Sequence, residues 1–226
     1  MARELHDHFF RQAKRDGYLS RAAYKLLEIH EKRSLFRRGM RVLDCGAAPG
    51  SWCQVAGDLV GPGGRVVGVD LTPIHHQFRH RNVTTIVGDL RAFTLDDLTD
   101  TDAGTESFDA VLSDMAPKTT GERTIDHHGS IRLCELVLEQ LPTWLRPGGP
   151  LVMKVFEGEA YASLLERTRS AFDTARGFKP RASRDESTEM YIVATGFLGE
   201  TPVVDAGDDL PPGFERPNRR PSSGWG

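Results

Sequence analysis

The chain has 226 residues, 38% of them apolar and 27% charged, with a formal net charge of -3. That size and composition suit one globular α/β domain with a tail. No apolar run reaches the roughly 18 residues a bilayer span needs, and Met1-Ala2-Arg3-Glu4 opens no apolar signal core, so a cytoplasmic protein is expected. The three cysteines, Cys45, Cys53 and Cys134, form no Cys-x-x-Cys pair, and the neighbours His75-His76 and His127-His128 are poorly placed to converge on one ion. Reduced thiols and no metal site are expected.

In chain order, the first feature is a charge asymmetry. Residues 1–41 carry 11 Lys or Arg against 5 Asp or Glu, whereas residues 42–226 carry 18 against 27. A basic segment of this kind either meets a polyanion or is simply a solvated helix. Ser20 is placed to cap a helix running through Arg21-Ala22-Ala23-Tyr24-Lys25-Leu26-Leu27, whose apolar residues recur at helical spacing. Residues 1–40 are therefore expected to form a basic helical extension packed on a domain that ends at residue 199.

Apolar, β-rich runs follow at Arg41–Asp44, Arg65–Asp70, Val83–Asp89, Phe108–Asp114, Pro150–Phe156 and Met190–Gly196. Helical patterns lie between them at Trp52–Leu59, Ser130–Leu145 and Glu159–Phe172, and Arg146-Pro147-Gly148-Gly149 ends the second of these. Such alternation predicts a mostly parallel sheet with helices on both faces. Pro, Gly and charged residues dominate residues 200–226, which predicts a flexible tail.

The first strand runs into Asp44-Cys45-Gly46-Ala47-Ala48-Pro49-Gly50-Ser51-Trp52, a glycine-containing turn at a strand-to-helix junction, where small residues let a ligand approach the backbone. Ligands of open α/β sheets bind beyond the carboxyl ends of the strands, and three further strands end in Asp70, Asp89 and Asp114. Asp70 is placed to accept both ribose hydroxyls of an adenosine. A nicotinamide dinucleotide uses an acid in the same way, but the turn departs from Gly-x-Gly-x-x-Gly and Pro49 removes an amide that a pyrophosphate would want. S-adenosyl-L-methionine, which has no pyrophosphate, fits better.

From Gly17 to Gly196 the chain resembles the FtsJ/RrmJ (RlmE) family of ribosomal RNA 2'-O-methyltransferases. The likeness rests on Ser20-Arg21-Ala22-Ala23-Tyr24-Lys25-Leu26, the turn just described, Ser113-Asp114-Met115-Ala116-Pro117, Lys154-Val155-Phe156-Glu157-Gly158 and Glu189-Met190-Tyr191-Ile192-Val193-Ala194-Thr195-Gly196. It implies a Rossmann-like, S-adenosylmethionine-dependent methyltransferase with a seven-stranded sheet. It further implies that Asp44, Gly46, Gly50 and Trp52 lie at the cofactor's first turn, with Asp70 at its ribose, Asp89 at its adenine end and Asp114 at its methionine end. For Trp52 the alternative is plain helix packing. Ser51 stands where the family commonly has glycine, and Lys118 where it commonly has asparagine.

The family's catalytic set falls on Lys25, Asp114, Lys154 and Glu189. Lys154 stands out from the sequence itself, because Leu151-Val152-Met153-Lys154-Val155-Phe156 otherwise reads as a wholly buried strand. A lysine there must snorkel, pair with an acid or lose its proton. The competing reading is a structural ion pair. A ribose hydroxyl is a poor nucleophile until a positioned base shares its proton, and Lys154 is expected to be that acceptor, oriented by Asp114, with Lys25 and Glu189 holding the ribose and the ammonium network.

Arg3, Arg11, Lys14, Arg15, Arg21, Lys32, Arg33, Arg37 and Arg38, with Arg176, Lys179, Arg181 and Arg184, offer a phosphate-gripping surface that does not read sequence. The resemblance implies a uridine of the 23S A loop within the large ribosomal subunit as target; a monomer is expected. Another RNA, such as a tRNA anticodon loop or an mRNA cap, a non-catalytic ribosome-assembly factor, and a nicotinamide oxidoreductase remain the competing readings.

Overall fold

A computed structural model describes residues 2–79, 81–99, 107–183 and 187–200, with side chains from residue 8 onward. The tail expected at 200–226 lies, apart from its first residue, outside the described residues, as does Arg184. Seven strands form one sheet: β1 (Arg41–Cys45), β2 (Arg65–Asp70), β3 (Val83–Val87), β4 (Ala110–Ser113), β5 (Leu151–Phe156), β6 (Phe172–Phe178) and β7 (Glu189–Phe197). Their order is β3-β2-β1-β4-β5-β7-β6, and β7 alone is antiparallel to its neighbours. The Rossmann-like, mostly parallel fold is thus as expected.

Among the described residues six α-helices accompany the sheet: α1 (Ala2–Asp16), α2 (Ala22–Arg33), α3 (Ser51–Val60), the single turn α4 (Leu95–Leu98), α5 (Arg123–Trp144) and α6 (Tyr161–Arg169). Strand alternation sorts the side chains onto two faces. Leu43, Val111, Met153 and Val155 pack with Leu138, Leu141 and Trp144 of α5 and Leu164 of α6. Val42, Leu112, Val152 and Tyr191 pack with Leu26 and Ile29 of α2 and Trp52 and Val55 of α3.

Three expectations need correction. The helix expected to run to Phe172 stops at Arg169, and Phe172–Phe178 is the edge strand β6, paired only with β7. Helix α5 begins at Arg123, a full two turns before Ser130, because Asp126 holds the Thr120 and Gly121 amides ahead of it. Ser20 accepts the Ala22 amide at 3.2 Å, but the capping position itself is Arg21, which makes no side-chain cap. The Ser20 hydroxyl is also 2.7 Å from that of Ser51, which ties the entry of α2 to the first residue of α3.

The chain reverses direction across the sheet at β1, which leads to β2 on one side and pairs with β4 on the other. This is the switch point at which such sheets bind ligands. Among the described residues, no helix is long and apolar enough to cross a membrane.

Candidate active site

The register of the sheet builds the site. Cys45 pairs with Ser113, and the Asp114 amide donates to the Cys45 carbonyl at 3.1 Å, so the rims of β1 and β4 are one surface. In the antiparallel ladder Lys154 stands opposite Tyr191, and Phe156 opposite Glu189. Period two puts Lys154 on the face of Val152, the face that α2 covers.

All four catalytic candidates come together there. The Lys154 ammonium nitrogen is 3.0 Å from Asp114 Oδ1 and donates as well to the Asp114 main-chain carbonyl. Lys25, from the middle of α2, pairs with Glu189 Oε1 at 2.5 Å. Lys25 and Lys154 are buried, and their partners only slightly exposed. Burial raises the Glu189 carboxyl, but the charge and hydrogen bond of Lys25, aided by Lys154 and Ser183, outweigh it and hold Glu189 below its ordinary range. A buried acid held ionised by cations can orient an ammonium or a hydroxyl.

Tyr191 is the residue that sequence reading passed over. Its hydroxyl donates to Asp114 Oδ1 at 2.8 Å and lies 3.3 Å from Glu189 Oε1, which joins the two ion pairs into one network. Burial, then the charges of Asp114 and Glu189, push this phenol far up, so it keeps its proton and acts as donor. The Lys25 nitrogen sits 5.8 Å from the centre of its ring. A tyrosine in an apolar strand reads as core, and only the register places its hydroxyl between two acids.

Around the first turn, Asp70 accepts the Ala48 amide at 2.9 Å and the Thr72 amide at 2.7 Å, one on each oxygen. Each oxygen keeps a lone pair for a further donor. Asp44 is fully buried, takes the Cys53 thiol at 3.2 Å on Oδ2, and has no partner for Oδ1 among the described residues. Burial, with Asp114 and Asp70 nearby, pushes its carboxyl up to about 7. Asp70, with Asp44 where it is ionised and Asp114 where Lys154 does not offset it, lines this rim with acidic acceptors that suit a cationic ligand.

Four other residues of the expected cofactor site are held by contacts within the protein. The Trp52 indole is 2% exposed, donates to the Ala22 carbonyl at 2.9 Å and lies 5.7 Å from the Tyr191 ring. Its side chain pins α3 to α2 and supports Tyr191. The space that a Cβ would need at Gly46 is filled by Met115, 2.6 Å away, and φ there is +75°; the glycine lets two protein rims close. At Gly50, φ +108°, the equivalent space is lined by Leu19, Phe78 and Ile74. Asp89 grips Arg91 through both oxygens, which holds its carboxyl down at about 2.

The loop that follows β5 is fixed from α5. The buried His127 places Nδ1 2.7 Å from the Phe156 carbonyl and accepts the Ala160 amide on Nε2 at 3.1 Å, while Gly158 leaves room for its ring. Both ring nitrogens are thereby used. The three cysteines are buried and free.

A reversed seventh strand, a switch point rimmed by carboxylates and a buried Lys-Asp-Lys-Glu set define a Rossmann-like methyltransferase. The chain belongs to the FtsJ-like methyltransferase family, whose profile matches residues 18–197. It is 46% identical over 195 residues to a ribosomal RNA large subunit methyltransferase E of Psychrobacter sp. (strain PRwf-1), covering 86% of this chain and 91% of that one. Over 204 residues it is 43% identical to the protein of the same name from Halorubrum lacusprofundi, covering 90% and 75% of the two chains. A crystal structure of a ribosomal RNA methyltransferase from Plasmodium falciparum is similar with a TM-score of 0.66 at 27% identity, over 81% of this chain and all of that one. The fold is also that of Aeropyrum pernix fibrillarin, solved with bound S-adenosyl-L-methionine, with a TM-score of 0.51 at 19% identity over 76% of each chain.

Proposed function

We propose that the chain transfers a methyl group from S-adenosylmethionine to a ribose 2'-hydroxyl of large-subunit ribosomal RNA, with a uridine of the 23S A loop as target. The observation that carries this reading is the pairing of Lys154 with Asp114 beside the Lys25–Glu189 pair, next to the switch point. The names of the relatives, ribosomal RNA large subunit methyltransferase E, support the choice of RNA.

The residues at the rim suit the cofactor. The acidic acceptors Asp44, Asp70 and Asp114 suit a ligand that carries a sulfonium and an ammonium, and disfavour the pyrophosphate of a nicotinamide dinucleotide. In this reading Asp70 holds the ribose of the cofactor with its spare lone pairs, Asp114 faces the methionine end and Asp89 the adenine end. Gly46 and Gly50 shape the turn between them, and Asp44 supplies charge from beneath it.

When bound, S-adenosylmethionine supplies a methyl carbon made electrophilic by the adjoining sulfonium. The protein must align the ribose oxygen and remove its proton. Lys154 would first release its own ammonium proton to solvent and would then, as the amine, take the proton of the ribose hydroxyl as that oxygen is methylated. The ammonium so produced is stabilised where it stands by Asp114 Oδ1 and the Asp114 carbonyl. Lys25, fixed by Glu189, holds the ribose, and Tyr191 keeps the two acids in register.

The test is labelled-methyl transfer to purified large ribosomal subunits, to protein-free large-subunit RNA and to tRNA, followed by mapping of the labelled nucleotide. Label at one large-subunit ribose, acquired faster on the subunit than on free RNA, is the expected result. Label on a base, on tRNA alone, or nowhere contradicts the reading.

A further inference from the structure

Two basic clusters that are far apart in sequence meet in one cavity. A pocket of about 320 Å³ lies between the last turn of α2 and the β6–β7 ribbon, lined by Lys32, Arg33 and Ser34 from the helix and by Thr174, Arg176 and Thr195 from the strands. Thr174 is paired with Thr195, and Arg176 with Val193, so these strand residues share one face of the ribbon. Val193 belongs to the core beneath α2, which makes this the face that also carries Lys154 and Tyr191. Asp173 falls on the opposite face by the same alternation, where it lies against Gly196.

The charges are uncompensated. Arg181, in the segment after β6, is neutralised by Glu28, which accepts its guanidinium Nε at 3.1 Å and its main-chain amide at 2.8 Å. Lys32, Arg33 and Arg176 are exposed and have no ion-pair or hydrogen-bond partner among the described residues. The last-turn positions of Lys32 and Arg33 complement the α2 dipole, but that account does not reach Arg176, which comes from an edge strand. Three cations and three hydroxyls converging on one concave polar surface match the donor set of a phosphodiester, which takes charge-assisted hydrogen bonds from Arg and Lys and ordinary ones from Ser and Thr.

We infer that this pocket holds a backbone phosphate of the RNA at a point remote from the target ribose. The inference rests on the reading of RNA as substrate. Two of the three elements that form the pocket run directly from the catalytic centre: α2 covers about 10 Å between Lys25 and Lys32, and β7 covers about 20 Å between Glu189 and Thr195. A phosphate bound there fixes the RNA at a second point on the same face of the sheet, so the splayed nucleotide at Lys154 is positioned by the shape of the surrounding RNA. Lys25 and Lys32 on one rigid helix connect the two points.

The experiment measures binding of the full chain to purified large ribosomal subunits between 50 and 200 mM salt, for wild type and for Lys32→Ala/Arg33→Ala/Arg176→Ala. All three positions are exposed, so the fold is retained. The substitution is expected to weaken binding by about tenfold or more and to reduce the slope of log affinity against log salt by about 2 to 3, with S-adenosylmethionine affinity unchanged. A control with the same loss of charge, Arg79→Ala/Arg81→Ala/Arg132→Ala, is expected to change the slope by less than one. An unaltered affinity and slope in the first variant, or an equal loss in the control, overturns the pocket. Methyl transfer is scored separately on the same subunits: its absence in wild type defeats the proposed reaction, while the binding comparison still decides the pocket.

Discussion

Lys154 and Tyr191 stand directly opposite one another in the β5–β7 ladder, and both reach Asp114 Oδ1, at 3.0 and 2.8 Å. A cation and a neutral donor thus share one acceptor, and the second lone pair of that oxygen is what permits it. Because Tyr191 also approaches Glu189, the network holds its geometry through the tyrosine rather than through the lysines alone.

Tyr191→Phe keeps the ring under Trp52 and removes only the hydroxyl. Asp114 and Glu189 each retain a lysine, so no buried acceptor is orphaned and stability should fall by about 1 kcal/mol. Turnover should fall by about tenfold through looser alignment, with the Michaelis constant for S-adenosylmethionine little changed. Urea unfolding and steady-state methyl transfer check the two parts.

Lys25→Met leaves Glu189 buried without its main counter-charge. The depressed carboxyl of Glu189 contributes stability that is present above the unfolded-state value and is lost as pH falls through the folded one. The variant should therefore be less stable than wild type by about 3 kcal/mol at pH 7, with the gap closing under acid conditions. Glu189→Gln added to Lys25→Met should restore part of the loss, because it removes the stranded charge. A gap that is the same at pH 3 and pH 7 would show that the ion pair is not its cause.

Asp44 is the reverse case. Its carboxyl is raised by burial to about 7, so the folded protein binds a proton more tightly than the unfolded chain, and this contribution to stability is lost as pH rises from about 4 to 7. Asp44→Asn should flatten the pH dependence in that window and be more stable than wild type at pH 8, by on the order of 2 kcal/mol. A cationic ligand prefers the carboxylate, so wild-type affinity for S-adenosylmethionine should climb between pH 6 and 8 more steeply than that of the variant. The amine of the ligand titrates alike in both measurements. Parallel pH profiles would remove Asp44 from the binding field.

How much of this was legible in the sequence follows from local chemistry. Lys154 was conspicuous because a charge inside an apolar strand requires a partner, and Asp70 and Asp114 because acids at strand ends interrupt apolar runs. Edge strand β6 is not legible beyond its first residue, Phe172, which the helical pattern absorbs: Phe172-Asp173-Thr174-Ala175-Arg176-Gly177-Phe178 is half solvated, so it lacks the apolar continuity of the central strands. Trp52 is ambiguous in the sequence because both packing and ligand contact call for an aromatic after the turn; its burial and its bond to Ala22 come only from the placement of α2. Tyr191 and the Lys32–Arg176 cavity depend on register and helix placement, which no local pattern encodes.

The central claim is that the amine of Lys154 receives the proton of the nucleophile. Single-turnover methyl transfer by Lys154→Ala, with S-adenosylmethionine affinity measured by calorimetry on the same sample, tests it most directly. A rate lower by about 10²- to 10⁴-fold at unchanged cofactor affinity is the predicted result, and a rate within threefold of wild type would contradict it.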